Sequence, residues 1–262
     1  MPFFYTYFSR ARWPRNFLVN IITSWVPGII LVAFQAELGA IQAIKYFFVG
    51  YILFVCIYEI GYLANDSYGI GNDSTPRRRV NIDYNFSFVS VFALTRIILF
   101  LGIAAWVGVI TAPLFWVSYL VLSAVLFMHN TFRRLELKFF SFLQLSLLRF
   151  SLPVFLALLI FDRPDEVSTT LLTGLMLFTY PRVITYMDAK GRLSIPERKQ
   201  PTFLLLSLLT VLPLLSLVSV AAHTWAPIYA WLWMLIAQIM YVFVNRIRVL
   251  GYLKRQFESN DE

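Results

Sequence analysis

An all-α bundle of about eight membrane-spanning helices is the fold class that this 262-residue chain predicts. Three observations carry the prediction. Mean hydropathy is +0.70, with 59% hydrophobic and 14% charged residues, whereas about a quarter of a soluble domain is charged. Apolar runs of about 20 residues, the length that crosses a bilayer as a helix, recur along the chain. Lys and Arg concentrate in alternate gaps between those runs, the asymmetry that sets the orientation of a membrane protein.

Taken in order, the predicted spans are Phe17–Phe34, Ile44–Leu63, Phe86–Val107, Pro113–Met128, Phe142–Phe161, Thr169–Met187, Phe203–Ala221 and Pro227–Val244. Only the turn Thr111-Ala112-Pro113 separates the third from the fourth. One side of the membrane receives Arg10, Arg12 and Arg15; Arg77, Arg78 and Arg79; Arg133, Arg134 and Lys138; Lys190, Arg192, Arg198 and Lys199; and Arg246, Arg248, Lys254 and Arg255. The other side receives Glu37, the Thr111 turn, Asp162–Ser168 with Arg163 alone, and His223–Ala226. The chain therefore reads as a single multi-pass integral membrane domain over 1–262, with both termini cytoplasmic. The longer gaps, Asn65–Asn85, Asn130–Phe140 and Asp188–Pro201, all fall on the cationic side. A rigid scaffold usually presents its functional residues on such loops.

The formal net charge of +8 is accounted for by this asymmetry and is not a nucleic-acid footprint. Cys56 is the single cysteine and lies inside an apolar run, so no intramolecular disulfide can form. The chain carries no phosphate-binding glycine loop of the G-x-x-x-x-G-K type, no G-x-S-x-G elbow and no C-x-x-C pair. It shows neither an internal repeat nor the paired broken helices that transporters use.

Candidate chemistry starts at Tyr58–Arg79, where an apolar run closes on Glu59, Asn65 and Asp66, followed by Asp73 and the triplet Arg77, Arg78 and Arg79. Glu59, Tyr62 and Asp66 share one helix face by spacing. Two carboxylates with an amide are hard oxygen ligands of the kind that hold Mg2+ together with a phosphate. Arginines beside them suit the phosphate itself. The bland alternative is a polar helix end whose acids neutralise the neighbouring arginines. A second polar corner ends the sixth span, with Tyr186, Asp188 and Lys190; its bland alternative is Asp188 paired with Lys190. A third, His129–Lys138, holds Asn130, Arg134 and Lys138, and also suits a membrane-surface anchor. Inside or near the ends of the spans stand Glu59, Arg96, Arg149 and Arg182. Intramembrane charges of this kind call for partners or a purpose. Glu59 has Arg96 or Arg149 as a candidate structural partner; alternatively, Arg149 and Arg182 reach down a cavity to a phosphate.

With these residues the chain resembles the UbiA-type prenyltransferase superfamily. Asn65, Asp66 and Asp73 stand in register with its N-D-x-x-D-x-x-x-D motif after the second helix, with Gly69 in place of the middle acid. Asp188 matches the first acid of its second motif, and Arg192 stands at the other acid position. The opening Arg10–Asn16 looks like the family's R-P-x-x-W-x-K-N start, and Phe132–Lys138 looks like its basic loop after the fourth helix. Tyr62 and the Pro76–Arg79 run are similar to the branch that transfers phosphoribose onto decaprenyl phosphate. The resemblance spans roughly Arg10 to Arg192 and rests on the order of degenerate motifs.

The resemblance implies a nine-helix bundle whose cavity opens to the cytoplasm and sideways to lipid. It implies Asn65, Asp66, Asp73 and Asp188 as Mg2+ ligands, with Asp66, Asp73 and Asp188 catalytic. Tyr62, Asn65, Arg78, Arg79, Asn130, Arg134, Lys138, Arg149, Arg182, Tyr186 and Lys190 would contact the substrate, an isoprenoid lipid diphosphate or phosphate. The implied reaction is Mg2+-assisted prenyl transfer from a polyprenyl diphosphate. Phosphoribosyl transfer from phosphoribosyl diphosphate to a polyprenyl phosphate is the alternative. Gly69 and Arg192 leave open a third reading, a lipid-phosphate-binding or scaffold member without turnover.

Overall fold

The computed structural model describes residues 5–6, 14–68, 85–195 and 201–258; for 14–16, 201–202 and 245–258 it describes the backbone alone. These residues form helices and no strand. Among the described residues seven helices are long and apolar enough to cross a membrane, so the chain is a multi-pass membrane protein. Helix α1 runs from Pro14–Asn20 through a π-helical turn, Ile21–Trp25, into Val26–Gln35. Then come α2 (Ala40–Ser67), α3 (Phe86–Trp106), α4 (Pro113–Thr131) and α5 (Leu135–Ile160). Helix α6 is broken into Val167–Gly174, a π-helical turn Leu175–Thr179, and Tyr180–Ala189; α7 (Pro201–Ala221) and α8 (Ala226–Glu258) close the chain.

All eight predicted spans are helical, with two differences. The sixth, Thr169–Met187, lies in α6, which is not among the seven helices that qualify as spans by length and apolarity. Thr169, Thr170, Thr173, Thr179 and Arg182 dilute its hydropathy, and all four threonines are buried. The predicted loop Asn130–Phe140 shrinks to Phe132–Arg134, so that Lys138 stands on the first turn of α5. Charged residues at a helix end lower hydropathy without ending the helix. The short Thr111 connection is real: Gly108 takes φ 80°, a conformation that glycine adopts without strain, and Pro113 starts α4.

α2 and α5 form the centre. They pack on each other, and in a ring around them α3 packs on α2, α1 on α2 and α8, α8 on α7, α7 on α6, α6 on α5, and α4 on both α5 and α2. Within their apolar windows α2 is 50% and α5 61% buried, against 17–28% for the five other spans; only the central pair is clothed mainly by protein rather than by lipid. The close crossing requires Gly50, where an added Cβ would overlap the Pro153 carbonyl of α5. A similar approach brings Gly61 of α2 against the Leu126 side chain of α4.

The two π turns share one sequence cause. Each is followed, two residues after its end, by a proline: Trp25-Val26-Pro27 and Thr179-Tyr180-Pro181. In the first, the Val26 N–H donates to the Ile21 carbonyl, which leaves the next carbonyl, Ile22, facing a proline that has no N–H to give. Trp233 of α8 supplies the missing donor, its Nε1 lying 2.9 Å from the Ile22 oxygen. Such turns often mark functional positions, and here they immediately precede or follow the residues that line the main polar cavity.

Among the described residues one ion pair is buried. Arg96 Nε of α3 donates to Glu59 Oε2 of α2 at 2.8 Å, with Glu59 at 0% exposure. Of the two partners the sequence offers Glu59, Arg96 is the one it takes.

Candidate functional site

A cavity of about 560 Å³ opens at the end of the bundle where α2 and α4 stop and α5 begins. Its polar lining is Asn20 from α1; Tyr58, Tyr62 and Asn65 from α2; His129 and Asn130 from α4; Lys138, Ser146 and Arg149 from α5; and Arg182, Tyr186 and Lys190 from α6, with Thr6 at one wall. Eight of the residues predicted as substrate contacts are thus brought together: Tyr62, Asn65, Asn130, Lys138, Arg149, Arg182, Tyr186 and Lys190. They come from four different helices, which is why helical spacing alone could not assemble them.

Each is held by local structure. Arg149 Nη2 donates to Asn20 Oδ1 at 3.0 Å. Arg182 lies with its guanidinium 4.8 Å from the centre of the Phe178 ring, and its Nε is buried with no hydrogen-bond partner. Asn130 Nδ2 donates to the Gly61 carbonyl at 3.0 Å, tying α4 to α2 at their cavity ends. Tyr186 stacks on Phe142 with ring centres 4.1 Å apart, and Lys190 Nζ stands 5.9 Å from the same Tyr186 ring. Tyr58 and Tyr62 meet edge to face at 4.6 Å. His129 Nδ1 lies 2.9 Å from Ser141 Oγ.

The predicted acids are placed differently. Asp66 is 1% exposed and does not line the cavity: its Oδ2 accepts from the Tyr5 hydroxyl at 2.7 Å and its Oδ1 from Asn65 Nδ2 at 3.2 Å. Glu59, one turn pair earlier on the same face, accepts from the Thr6 N–H at 2.9 Å. The Tyr5-Thr6 segment therefore covers the acidic face of α2. Asp188 Oδ1 accepts from the Ile195 N–H at 2.7 Å, bracing the turn after α6 rather than pairing with Lys190. Arg192 pairs with Glu136 at the surface. Arg134 is exposed at the start of α5 and outside the cavity lining. Asp73, Arg78 and Arg79 lie outside the described residues.

Among the described residues, no three of His, Cys, Asp and Glu come together as a metal site. Asn65 is the one expected Mg2+ ligand that lines the cavity. A hard divalent cation needs several oxygen donors converging at about 2.1 Å. Asp66 and Asp188 each accept a hydrogen bond outside the cavity lining and Asp73 lies outside the described residues, so of the implied ligand set the described lining offers Asn65 alone. What the cavity concentrates is positive charge. Lys138, Arg149, Arg182 and Lys190 line it, and among the described residues no carboxylate does.

Two apolar grooves adjoin the cavity. One of about 370 Å³, walled by Leu135, Phe139, Phe140 and Met187, shares Tyr186 and Lys190 with it. The other, about 210 Å³, lies among Leu177, Phe178, Phe203, Leu204 and Met234 and shares Val19 and Arg182. A separate cavity of about 520 Å³ at Asp165–Thr169, at the other end of α6, shares no residue with this group.

No family model, no curated protein and no solved structure matches the chain.

Sequence reasoning missed Asn20, Thr6, Tyr58, His129 and Ser146 as lining residues. Asn20 left a readable signal, an amide inside an otherwise apolar span; nothing in the spacing marks the others.

Proposed function

We propose that this protein is a membrane transferase of the UbiA-like kind, acting on an isoprenoid diphosphate whose head occupies the cationic cavity. The observation that carries the reading is the convergence of Lys138, Arg149, Arg182 and Lys190 on one cavity that no carboxylate lines among the described residues, beside apolar grooves. Positive charge gathered at membrane depth is costly, and an anionic ligand relieves that cost. A phosphate oxygen suits guanidinium and ammonium donors, with the arginine fork adding geometric selection. The adjoining apolar surface suits an alkyl chain and keeps water from it.

In the proposed step the bond between the allylic carbon and the diphosphate oxygen breaks, and the electron pair leaves with the diphosphate. Lys138, Arg149, Arg182 and Lys190 stabilise the charge that develops on the leaving group. The acceptor atom bonds to the allylic carbon and gives up its proton to solvent. By the charge asymmetry of the gaps, the cavity opens toward the cytoplasm.

The purified protein in lipid nanodiscs, given geranylgeranyl diphosphate and a membrane lipid extract, is expected to release pyrophosphate. Substitution of Arg149 or Arg182 by Gln should reduce that release at least tenfold, about the worth of one charge-assisted hydrogen bond. Lipid binding without release would favour a second reading, a lipid-phosphate-binding protein without turnover; burial of Asp66 against Tyr5 is the observation on its side. Consumption of phosphoribosyl diphosphate with a polyprenyl phosphate would move the assignment to phosphoribosyl transfer.

A further inference from the structure

We infer that the anion in this cavity is held directly by a paired-arginine clamp, Arg149 with Arg182, and needs no divalent cation to bind. The inference rests on the proposed reading of the cavity as a phosphate site and specifies how the phosphate is recognised.

The two arginines come from facing helices, α5 and α6, and both line the cavity. α5 and α6 pack on one another, and both arginines, with Tyr58 and Tyr62, line the same cavity of about 560 Å³. Among the described residues neither forms an ion pair; the ion pairs there belong to Arg96, Arg163 and Arg192. Arg149 is fixed through one nitrogen by the neutral Asn20 amide. Arg182 is fixed by the Phe178 ring, and its buried Nε keeps a donor unused. Two like charges in a poorly solvated place repel, and a buried donor without an acceptor costs free energy. A tetrahedral anion seated between them answers both at once. Its oxygens accept from the two forks and its charge opposes theirs.

A site that recruits a diphosphate through Mg2+ works the other way. Its carboxylates hold the metal, and the metal holds the phosphate. Here no described carboxylate lines the cavity: Asp66 accepts from Tyr5 and Asn65, Glu59 from Arg96, and Asp188 from the Ile195 N–H. The cavity wall presents donors, and donors take the phosphate without an intermediary.

The test is titration of the full-length protein in detergent with sodium pyrophosphate, read by thermal stability, once in EDTA and once with Mg2+. Binding in EDTA with an affinity within roughly threefold of that in Mg2+ is expected, since a threefold change corresponds to well under 1 kcal/mol. Arg149→Gln and Arg182→Gln should each weaken it about tenfold or more. Arg149→Lys and Arg182→Lys keep the charge and guard against misfolding; each should bind more weakly than wild type and more tightly than its Gln counterpart, because lysine lacks the fork. Arg163→Gln, at the other end of the bundle, should bind as wild type. Pyrophosphate binding that appears only with Mg2+, or that survives both Gln substitutions, overturns the clamp. If pyrophosphate binds in EDTA and geranylgeranyl diphosphate binds no more tightly, the clamp stands and the isoprenoid reading fails.

Discussion

Arg149 and Asn20, 129 positions apart in sequence, meet through a hydrogen bond of 3.0 Å between the guanidinium Nη2 and the amide Oδ1. The contact joins α5 to the last residue before the π turn of α1 and aims one cation into the cavity. Replacing Asn20 by Leu keeps the bulk and removes the acceptor. Pyrophosphate affinity should fall by roughly three- to tenfold, the range expected when a single hydrogen bond no longer orients a charged group. The fold should hold, because Asn20 sits at the cavity wall and not within the apolar core.

Glu59 and Arg96 tie α3 to the centre of the bundle. Substituting Glu59 by Gln leaves Arg96 charged and buried at 5% exposure. Loss of one partner from a buried pair costs about 3–5 kcal/mol. A marked fall in melting temperature of the detergent-solubilised protein should follow, and the double substitution Glu59→Gln with Arg96→Met should recover part of it.

Trp233→Phe should lower stability by about 1–3 kcal/mol, because the Ile22 carbonyl in the π turn then has no donor from α8. Since that turn sets the position of Asn20, pyrophosphate affinity should decline with it. An unchanged affinity alongside a lowered melting temperature would separate the turn from the cavity.

Glu166, in the short turn ahead of α6, has its acidity weakened by burial first and by Asp165 second. Its pKa is raised on folding, so the folded state binds the proton more tightly than the unfolded state. Its contribution to stability therefore grows as pH falls through the folded pKa and is unfavourable at neutral pH. Glu166→Gln should raise the melting temperature at pH 7, with the gain shrinking as the pH is lowered into the carboxylate range.

The membrane class and the helical nature of every predicted span were legible because apolar length and alternating Lys and Arg are local properties of the chain. Lys138, Tyr186 and Lys190 could be picked out as polar residues near helix ends, and Arg149 and Arg182 as charges in or near apolar runs. That they face one another could not be read, since it depends on how α1, α2, α5 and α6 pack. The acids misled for a physical reason. Spacing put Glu59 and Asp66 on one face of α2 correctly, but that face is taken by Tyr5, Thr6 and Arg96. A helical period gives a face, and only packing says what the face meets.

The most direct test of the isoprenoid reading is photo-crosslinking with a diazirine-bearing geranylgeranyl diphosphate, followed by mass-spectrometric mapping of the labelled peptides. Labelling is expected in the grooves that adjoin the cavity, at Leu135, Phe139, Phe140 and Met187 or at Leu177, Phe178, Phe203, Leu204 and Met234, and excess unlabelled pyrophosphate should suppress it by displacing the head. Labelling confined to the lipid-facing surface of α3, unaffected by pyrophosphate, would contradict the account.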